Sequence, residues 1–379
     1  MAAGLSLPPH HLLSNYDDIN VCAPMVRYSK LPFRALVAQY DTHITTTPMI
    51  LATEFSRHPH ARDSDFTTNG SERGQFEMLP VHGSTSKHPV KVRGSLVCQL
   101  AASEPEPLAD AAELVSPFVD GIDLNCGWYV CTGSPSPQPW AYAEHIGSYL
   151  LRQPETVADM VRAVKGRLGT GYCVSVKIRI DTDLSRTNTL ICNALHAGAS
   201  LITVHGRTRH QSSASDPVNL DAVKFAIECA NACGLQTARG TSPGDAWVHA
   251  EDGGAGGLAP CVVNGDIWTR DDAQAWRAHT GARGAMSARG LLANPALFSG
   301  APRTPPAAIA DFVDKSLLWG LPTALLQYVC SSYTSRHLAY MLEESLSSRF
   351  ESNYFNSLAS PASILDWLAE AGYMPSAPG

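Results

Sequence analysis

Residues Cys173 to Gly206 read CVSVKIRIDTDLSRTNTLICNALHAGASLITVHG, and this stretch decides the fold. It begins with a short apolar run, CVSVKIRI, that is rich in β-branched residues, and it ends with a second run, LITVHG. Between them, RTNTLICNALHAGA has the apolar spacing of an amphipathic helix. A strand, a helix and a second strand in this order predict a βαβ unit whose parallel strands are buried on both faces.

The same alternation of apolar runs and helical periodicity extends in both directions along the chain. Eight candidate strands result, at Asn20–Met25, His43–Ile50, Ser95–Ala101, Gly121–Asn125, Cys173–Ile180, Leu201–Gly206, Cys261–Ile267 and Gly284–Gly290. Eight βα units close naturally into a ring, so the pattern predicts an α/β fold, a (β/α)₈ TIM barrel. A doubly wound open sheet is the alternative, but that fold rarely needs eight strands.

The length of 379 residues accommodates one such barrel and a smaller domain. We expect an N-terminal tail over 1–18, the barrel over 19–300, and a C-terminal helical domain over 306–374, whose segments have proline at or near their starts. Three insertions interrupt the barrel pattern, at about 74–94, 128–135 and 236–259. The first and third are long, polar and without periodicity, so we interpret them as loops.

The bulk composition is that of a cytoplasmic enzyme, with the nucleus as the alternative compartment. Charged residues make up 17% of the chain, no run of about 20 apolar residues predicts a membrane span, and the N-terminus does not resemble a signal peptide. Most of the ten cysteines are therefore expected as reduced thiols. We expect a monomer. The net charge of −7 argues against nucleic-acid binding unless positive charge is concentrated locally.

Function in a barrel collects at the carboxyl ends of the strands, so the polar residues there are the candidate site. Of the residues at and around these ends, we assign eleven to a cofactor site: Pro24, Met25, Gln99, Asn125, Lys177, His205, Asn264, Gly265, Asp266, Arg289 and Gly290. The NGD and ARG segments that end the last two strands predict a phosphate site. A phosphate there, an amide on the third strand and a cation on the fifth suit FMN.

Lys177 and His205 each allow more than one interpretation. A lysine within an apolar strand is costly to bury without a partner, so it either pairs with a residue such as Asp123 or serves a function. The functional alternatives are a Schiff-base nucleophile, as in a barrel aldolase, and a fixed cation that faces an anionic cofactor. His205 is either a core histidine or a ligand contact, and the Gly206-Arg207 that follows favours the contact.

Eight segments, taken in chain order, resemble the successive motifs of the tRNA-dihydrouridine synthase family. They are CAPMVRYSKLPFR, TPMI, ARDSDFTTN, DGIDLNCG, VSVKIRI, ITVHGRT, VNGDI and ARGLLANPALF, and together they span roughly Val21 to Phe298. The chain is most similar to the Dus4-like branch. Single motifs such as VNGDI are weakly specific, whereas eight in the same order are specific.

The resemblance implies a flavoenzyme that reduces the uracil C5=C6 bond of D-loop uridines in tRNA, at positions 20a and 20b, with FMN and NADPH. The strand-end residues above would contact FMN, with Lys177 near the N1–O2 edge of the ring. Reduced flavin would give hydride to C6, and a cysteine thiol would protonate C5 from the opposite face, which is general-acid chemistry.

The chain departs from the family pattern at this cysteine. The family motif is N-x-G-C-P, but here Asn125-Cys126-Gly127 is followed by eight inserted residues. Alignment backward from Trp140 places the cysteine position on Ser136, whereas Cys131 is the thiol within the altered loop. Three explanations are open: Cys131 replaces the family cysteine, the protein binds flavin and RNA with little activity, or the insertions are absent from the natural mature product.

Binding of tRNA would require a positive rim around the mouth of the barrel. Arg27, Arg179 and Arg207 follow strand ends and are the residues expected to contact RNA, with ordinary surface charge as the alternative. Two further functions compete with the tRNA reductase, namely a flavin-barrel reductase of a small molecule and a tRNA-binding pseudoenzyme with a disrupted cysteine loop.

Overall fold

The computed structural model describes residues 4–80, 88–127, 144–213, 215–239, 260–321, 337–346, 348–358 and 360–374. The strands in these ranges are β1 (Leu5–Ser6), β2 (Ile19–Cys22), β3 (Ile44–Thr46), β4 (Ile50–Leu51), β5 (Gln75–Met78), β6 (Val90–Arg93), β7 (Ser95–Ala101), β8 (Gly121–Cys126), β9 (Val174–Arg179), β10 (Leu201–His205), β11 (Cys261–Asn264) and β12 (Gly284–Ser287).

Eight of these strands form a closed parallel barrel. They lie in the order β3, β2, β12, β11, β10, β9, β8, β7, and a pairing of β3 with β7 closes the ring. The predicted TIM barrel is confirmed. The predicted second strand is divided, because Pro48, which cannot donate to a ladder, lies between β3 and the short β4 that pairs with β7.

Helices follow the strands as the alternating pattern predicts. They are α1 (Pro9–Asn15), α2 (Leu31–Val37), α3 (Ala52–Arg57), α4 (Pro59–Asp65), α5 (Pro105–Val115), α6 (Pro154–Leu168), α7 (Leu184–His196), α8 (Leu220–Arg239), α9 (Arg270–Thr280), α10 (Arg289–Ala293), α11 (Pro306–Leu318), α12 (His337–Met341), α13 (Arg349–Ser357) and α14 (Pro361–Glu370).

Local sequence explains where several of these helices begin and end. Proline opens α5, α6, α11 and α14, where its missing N–H leaves no hydrogen bond unmade. The Asp183 side chain caps α7 by accepting a hydrogen bond from the Ser185 backbone. Thr269 and Asp272 form a capping box at the start of α9, and Gly281, with φ 75°, ends that helix.

Two apolar cores hold the barrel together. The first lies between the strands and the surrounding helices, and it includes Leu124, Val176 and Ile202 with Val161, Leu190 and Val223. The second fills the barrel interior with side chains from alternate positions of the strands, such as Val21, Val97, Leu201, Val262 and Met286. The barrel is therefore packed through its centre, and space for a ligand remains toward the carboxyl ends of the strands.

The N-terminal face of the barrel is closed by a second, three-stranded sheet that we did not predict. Strand β6 pairs in parallel with β1 and antiparallel with β5, so the loop interpretation of 74–94 is wrong for these strands. The missed signal is the alternation in Gln75–Met78, where Phe76 and Met78 are buried and Gln75 and Glu77 are exposed. The expected tail is also partly folded, because α1 buries Leu12 and Leu13 in the interior core.

The described part of 306–374 is helical and packs against the barrel. His337 at the start of α12 is buried, and its Nε2 lies 2.9 Å from the Tyr28 carbonyl oxygen. Its ring also contacts Phe33 and Phe312. None of the helices that the structure describes is long and apolar enough to cross a membrane.

Two cysteines are paired rather than reduced. Cys192 on α7 and Cys233 on α8 form a disulfide, with a Cα–Cα distance of 5.7 Å. Cys22, Cys98, Cys126, Cys173, Cys229 and Cys261 are free thiols, as expected for most of the cysteines.

Candidate functional site

A cavity of about 300 Å³ opens at the carboxyl ends of the barrel strands. Strands β7 to β11 contribute the side chains of Gln99, Asn125, Lys177, His205 and Asn264 in turn. Because all the barrel strands are parallel, these side chains reach the same end of the barrel, where barrel enzymes build their active sites.

Ten of the eleven residues that we predicted from the strand ends line this cavity. They are Pro24, Gln99, Asn125, Lys177, His205, Asn264, Gly265, Asp266, Arg289 and Gly290. Met25 does not line it, because its side chain packs against both apolar cores and its backbone holds the turn around Ser29. The cofactor contact of Met25 stays a prediction.

Lys177 is a cation that lines the cavity. Within the described residues, no hydrogen bond or ion pair holds its ammonium group. The expected alternative, a salt bridge to Asp123, is not formed, because the oxygens of Asp123 accept from Gln99 and Ser175 instead. Burial lowers the pKa of Lys177 to about 8, against the opposing effect of Asp123.

His205 lies beside Lys177 in the wall of the cavity. Its pKa is well below the ordinary value of 6.5, first because of burial and then because of the surrounding cations, of which Lys177 is the first. The imidazole is therefore neutral at pH 7, with one nitrogen that donates and one that accepts. Gly265, with φ 124°, passes so close that an added Cβ would lie 3.1 Å from His205 Cδ2.

Asp266 joins two arginines at the side of the cavity where we predicted a phosphate site. One carboxylate oxygen accepts from Arg207 Nη2, and the other accepts from Arg289 Nη2 at 3.0 Å. Asp266 has φ 47°, a left-handed conformation that is uncommon outside glycine and that concentrates at functional sites. Asn264 donates to the Met286 carbonyl at 2.8 Å, so its amide orientation is also set.

The three arginines that we expected to contact RNA have different surroundings. Arg207 is 2% exposed and also donates to the Asp216 carbonyl, so it braces the loops and is not available to a phosphate outside. Arg179 is half-buried and donates to the carbonyls of Gly127 and Thr208. Arg27 is exposed on the turn after β2, outside the cavity lining.

Several residues of the cavity were missed in the sequence. Met49, Ser213 and Trp268 line it from loops that follow strands, and neither an apolar nor a hydroxyl side chain is distinctive in a loop. Trp268 had a usable signal, since a tryptophan directly after the NGDI segment lies next to the predicted phosphate site. Its ring is 45% exposed and lies 5.0 Å from the Arg289 guanidinium carbon, a cation–π contact.

Neither candidate proton donor can be assigned from the geometry, since Cys131 and Ser136 lie outside the described residues. The free thiols that the structure describes do not line the cavity. Cys126, which precedes Gly127, is fully buried, and burial raises its pKa well above the ordinary value of 9.0. It is therefore a structural thiol.

The charge of the cavity fits the anionic flavin cofactor predicted from the strand ends. Among the described residues that line it are four cations, Lys177, Arg179, Arg207 and Arg289, and one carboxylate, Asp266, although the whole chain carries −7. An unpartnered ammonium next to a neutral imidazole suits the polar edge of a flavin ring, and Arg289 with Asn264 and Gly265 suits its phosphate.

The family pattern of dihydrouridine synthases matches the chain over residues 21–231 and 258–344. The match covers most of the barrel and continues into the helical region, with an interruption between the two segments.

Proteins described as tRNA-dihydrouridine(20a/20b) synthases are similar to the chain over nearly its whole length. A human synthase-like protein is 40% identical over 367 residues, which cover 96% of this chain and 93% of the human one. The protein of Schizosaccharomyces pombe is 38% identical, covering 93% of this chain and 87% of its own. The protein of Saccharomyces cerevisiae is 33% identical, covering 92% and 78%.

Proposed function

The chain belongs to the dihydrouridine synthase family, and from this premise we propose that it is a tRNA-dihydrouridine(20a/20b) synthase. It binds FMN in the mouth of the barrel, takes electrons from NADPH, and reduces the C5=C6 bond of D-loop uridines. The names of its relatives support the reaction and the positions 20a and 20b.

The observation that carries the proposal is the Lys177 ammonium in a cationic cavity, where none of the described residues forms a hydrogen bond or ion pair with it. A buried cation without a partner destabilises a protein unless a ligand supplies the opposite charge. A structural lysine would have acceptors around it, and a Schiff-base lysine would not need three arginines in the same wall. A dianionic phosphate attached to a ring that gains negative charge on reduction accounts for both features.

The chain's own residues have distinct proposed roles. Lys177 places positive charge beside the polar edge of the ring, and neutral His205 offers a hydrogen bond there without adding charge. Arg289 binds the phosphate, and Asp266 holds Arg289 in place. Bound FMN supplies the hydride that is transferred to the uracil C6.

The proton for C5 must come from a side chain, and we assign it to Cys131. The resemblance to the family supports this assignment, because Cys131 is the thiol within the altered loop, and the free thiols in the described part of the chain do not line the cavity. The Ser136 hydroxyl is a much weaker acid than a thiol, whose ordinary pKa is about 8.5.

Exposed Arg27 is the predicted residue most suited to contact the tRNA backbone.

The test begins with the purified protein, its visible spectrum, and dihydrouridine measured in tRNA from a strain that lacks its own enzyme. A yellow protein that forms dihydrouridine, and that loses this activity in Cys131→Ala, is the expected result. A yellow protein that oxidises NADPH without any response to tRNA would point to a small-molecule reductase. An inactive protein that Ser136→Cys activates would instead identify a pseudoenzyme whose insertion displaced the acid.

A further inference from the structure

Asp123 is a buried carboxylate directly beneath the cavity, and neither the predicted site nor the proposed reaction uses it. It is 4% exposed, lies on β8 two residues before Asn125, and does not line the cavity. None of the ion pairs among the described residues includes it. Burial raises the pKa of Asp123, and the hydrogen bonds from Ser175 and Gln99, followed by the nearby charge of Lys177, oppose this effect. The ionised carboxylate therefore depends mainly on its hydrogen bonds, which makes their arrangement informative.

A series of three hydrogen bonds connects Asp123 through the side chains of Gln99 and Asn125 to the Gly127 backbone, and both side chains line the cavity. A carboxylate only accepts, so the Gln99 side chain must turn its amide nitrogen toward Asp123, and Nε2 donates to Oδ2 at 2.8 Å. Gln99 Oε1 therefore faces Asn125 and accepts from Nδ2 at 2.8 Å. Asn125 Oδ1 in turn accepts from the Gly127 backbone N–H at 3.1 Å.

This series of hydrogen bonds has the Asp123 carboxylate, which only accepts, at one end and the Gly127 backbone N–H, which only donates, at the other. An isolated side-chain amide can exchange its oxygen and nitrogen by a half-turn, whereas the two amides between Asp123 and Gly127 satisfy all their bonds in one orientation only. Gln99 and Asn125 both line the cavity, so that orientation decides which of their atoms a ligand meets. With Nε2 bonded once to Asp123, the second Nε2 hydrogen of Gln99 is left for an acceptor.

We propose that Asp123 is a positioning residue that orients the Gln99 amide so that an N–H, and not a carbonyl, faces an acceptor atom of the bound flavin ring. The proposal rests on the proposed function, because it takes FMN as the ligand. Asp123 itself touches no ligand, and it acts through Gln99.

Ser175 makes a conservative variant informative. Its hydroxyl donates to Asp123 Oδ1 at 2.5 Å, and it lies 3.3 Å from the Ile122 carbonyl. In Asp123→Asn, the new amide oxygen can still accept from Gln99, while Ser175 turns its hydroxyl to Ile122 and accepts from the new amide nitrogen. The substitution removes the charge and keeps the order of donors and acceptors, so it separates the two contributions.

The experiment titrates FMN into apoprotein by fluorescence quenching and records the visible spectrum of the bound flavin. Asp123→Leu removes the acceptor, so we expect the Kd for FMN to rise about five-fold to tenfold, which corresponds to one lost hydrogen bond, with a shifted spectrum. Asp123→Asn is expected to keep both properties within about two-fold of the parent. Ser175→Ala, which leaves the bond between Gln99 and Asp123 intact, is the matched control and should also keep both.

Two results would overturn the proposal: a parental Kd and spectrum in Asp123→Leu, or the same loss in Asp123→Asn as in Asp123→Leu, which would assign the effect to charge. If Asp123→Leu does not fold, Asp123→Thr replaces it, because a hydroxyl can donate or accept and so selects no orientation; it should raise the Kd and shift the spectrum. The parent protein is titrated with FMN before the variants. If the parent does not bind FMN, the result refutes the proposed function and not the role of Asp123.

Discussion

Lys165, which is buried, and Lys177, which is half-buried, have similar pKa values and different surroundings. Burial lowers the pKa of Lys165 and of Lys177 to about 8 in each case. The Lys165 ammonium donates to the carbonyls of Thr170 and Tyr172 and to the Ser200 hydroxyl, at 2.7 to 2.9 Å. Lys177 has no such acceptors within the described residues, so one lysine stabilises the fold and the other is held ready for a ligand.

The first prediction compares the two lysines in apoprotein. A pKa of about 8 instead of 10.5 for Lys177 corresponds to about 3 kcal/mol of destabilisation below pH 8. Lys177→Met should therefore raise the free energy of unfolding at pH 7 by about 1–3 kcal/mol. Lys165→Met should lower it by about 2–4 kcal/mol, because three acceptors lose their donor. Urea denaturation at pH 7 measures both changes.

The difference in stability between Lys177→Met and the parent apoprotein should depend on pH. Between pH 8 and 10.5 the folded protein releases the Lys177 proton while the unfolded chain keeps it, so the stability of the parent apoprotein rises with pH. The advantage of Lys177→Met should therefore shrink between pH 7.5 and 9.5. An advantage that is constant over this range would show that Lys177 is not the group responsible.

The second prediction concerns the affinity for FMN. Below pH 8 the ammonium of the free protein is charged and attracts the flavin, and above pH 8 the proton must first be recovered. The Kd for FMN should rise up to about tenfold between pH 7 and 9 in the parent. Lys177→Met should bind more weakly and without this dependence, and fluorescence titration at five pH values distinguishes the two profiles. Equal slopes would place the titrating group elsewhere.

Asp266 connects several segments at the mouth of the barrel through its ion pairs. It follows β11, and its two arginines follow β10 and begin α10, so one carboxylate ties three consecutive connections together. Because Arg207 is 2% exposed, loss of its partner would leave a buried cation without opposite charge.

The third prediction follows from this junction. Asp266→Asn should destabilise the protein by about 2–4 kcal/mol and weaken FMN binding, even though it removes a negative charge next to a phosphate site. Asp159→Asn is the matched control, because Asp159 and its partner Arg162 are 62% and 55% exposed, and the change should be below about 1 kcal/mol. Tighter FMN binding in Asp266→Asn would contradict the bracing role.

The strand ends were predictable from the sequence because parallel strands bring their carboxyl ends to one place, whichever helices lie between them. Lys177 and Asn264 could be assigned to one cavity on that ground alone. The role of Arg207 could not, since its partner Asp266 is 59 residues away and an arginine after a strand suits either a ligand or a brace. The strands β5 and β6 were missed because each has only four residues, so the alternation in β5 is short and lies within a polar segment.

At the scale of the whole molecule, the cavity depends on nearly every barrel strand. Pro24 after β2, Gln99 on β7, Asn125 on β8 and Arg289 after β12 are brought together only when the ring closes. A ligand that bridges them binds the closed barrel and not the unfolded chain, so ligand binding and barrel stability are linked.

The fourth prediction measures this linkage. FMN at 100 times its Kd should add about 2.7 kcal/mol to the stability of the protein and raise its melting temperature by several degrees. Riboflavin has the same ring without the phosphate, so at the same concentration it should produce a clearly smaller shift. Equal shifts would show that Arg289 and the residues around it do not contact the phosphate.

The small sheet of β1, β5 and β6, together with α1, has a kinetic consequence. It covers the N-terminal end of the barrel, so the cavity communicates with solvent through its mouth. If the chain acts as proposed, electron donor and RNA would reach the cavity through this one opening, and we expect them to bind in turn. Initial rates at several concentrations of both substrates should give parallel double-reciprocal lines, whereas lines that converge would show that the two occupy the protein together.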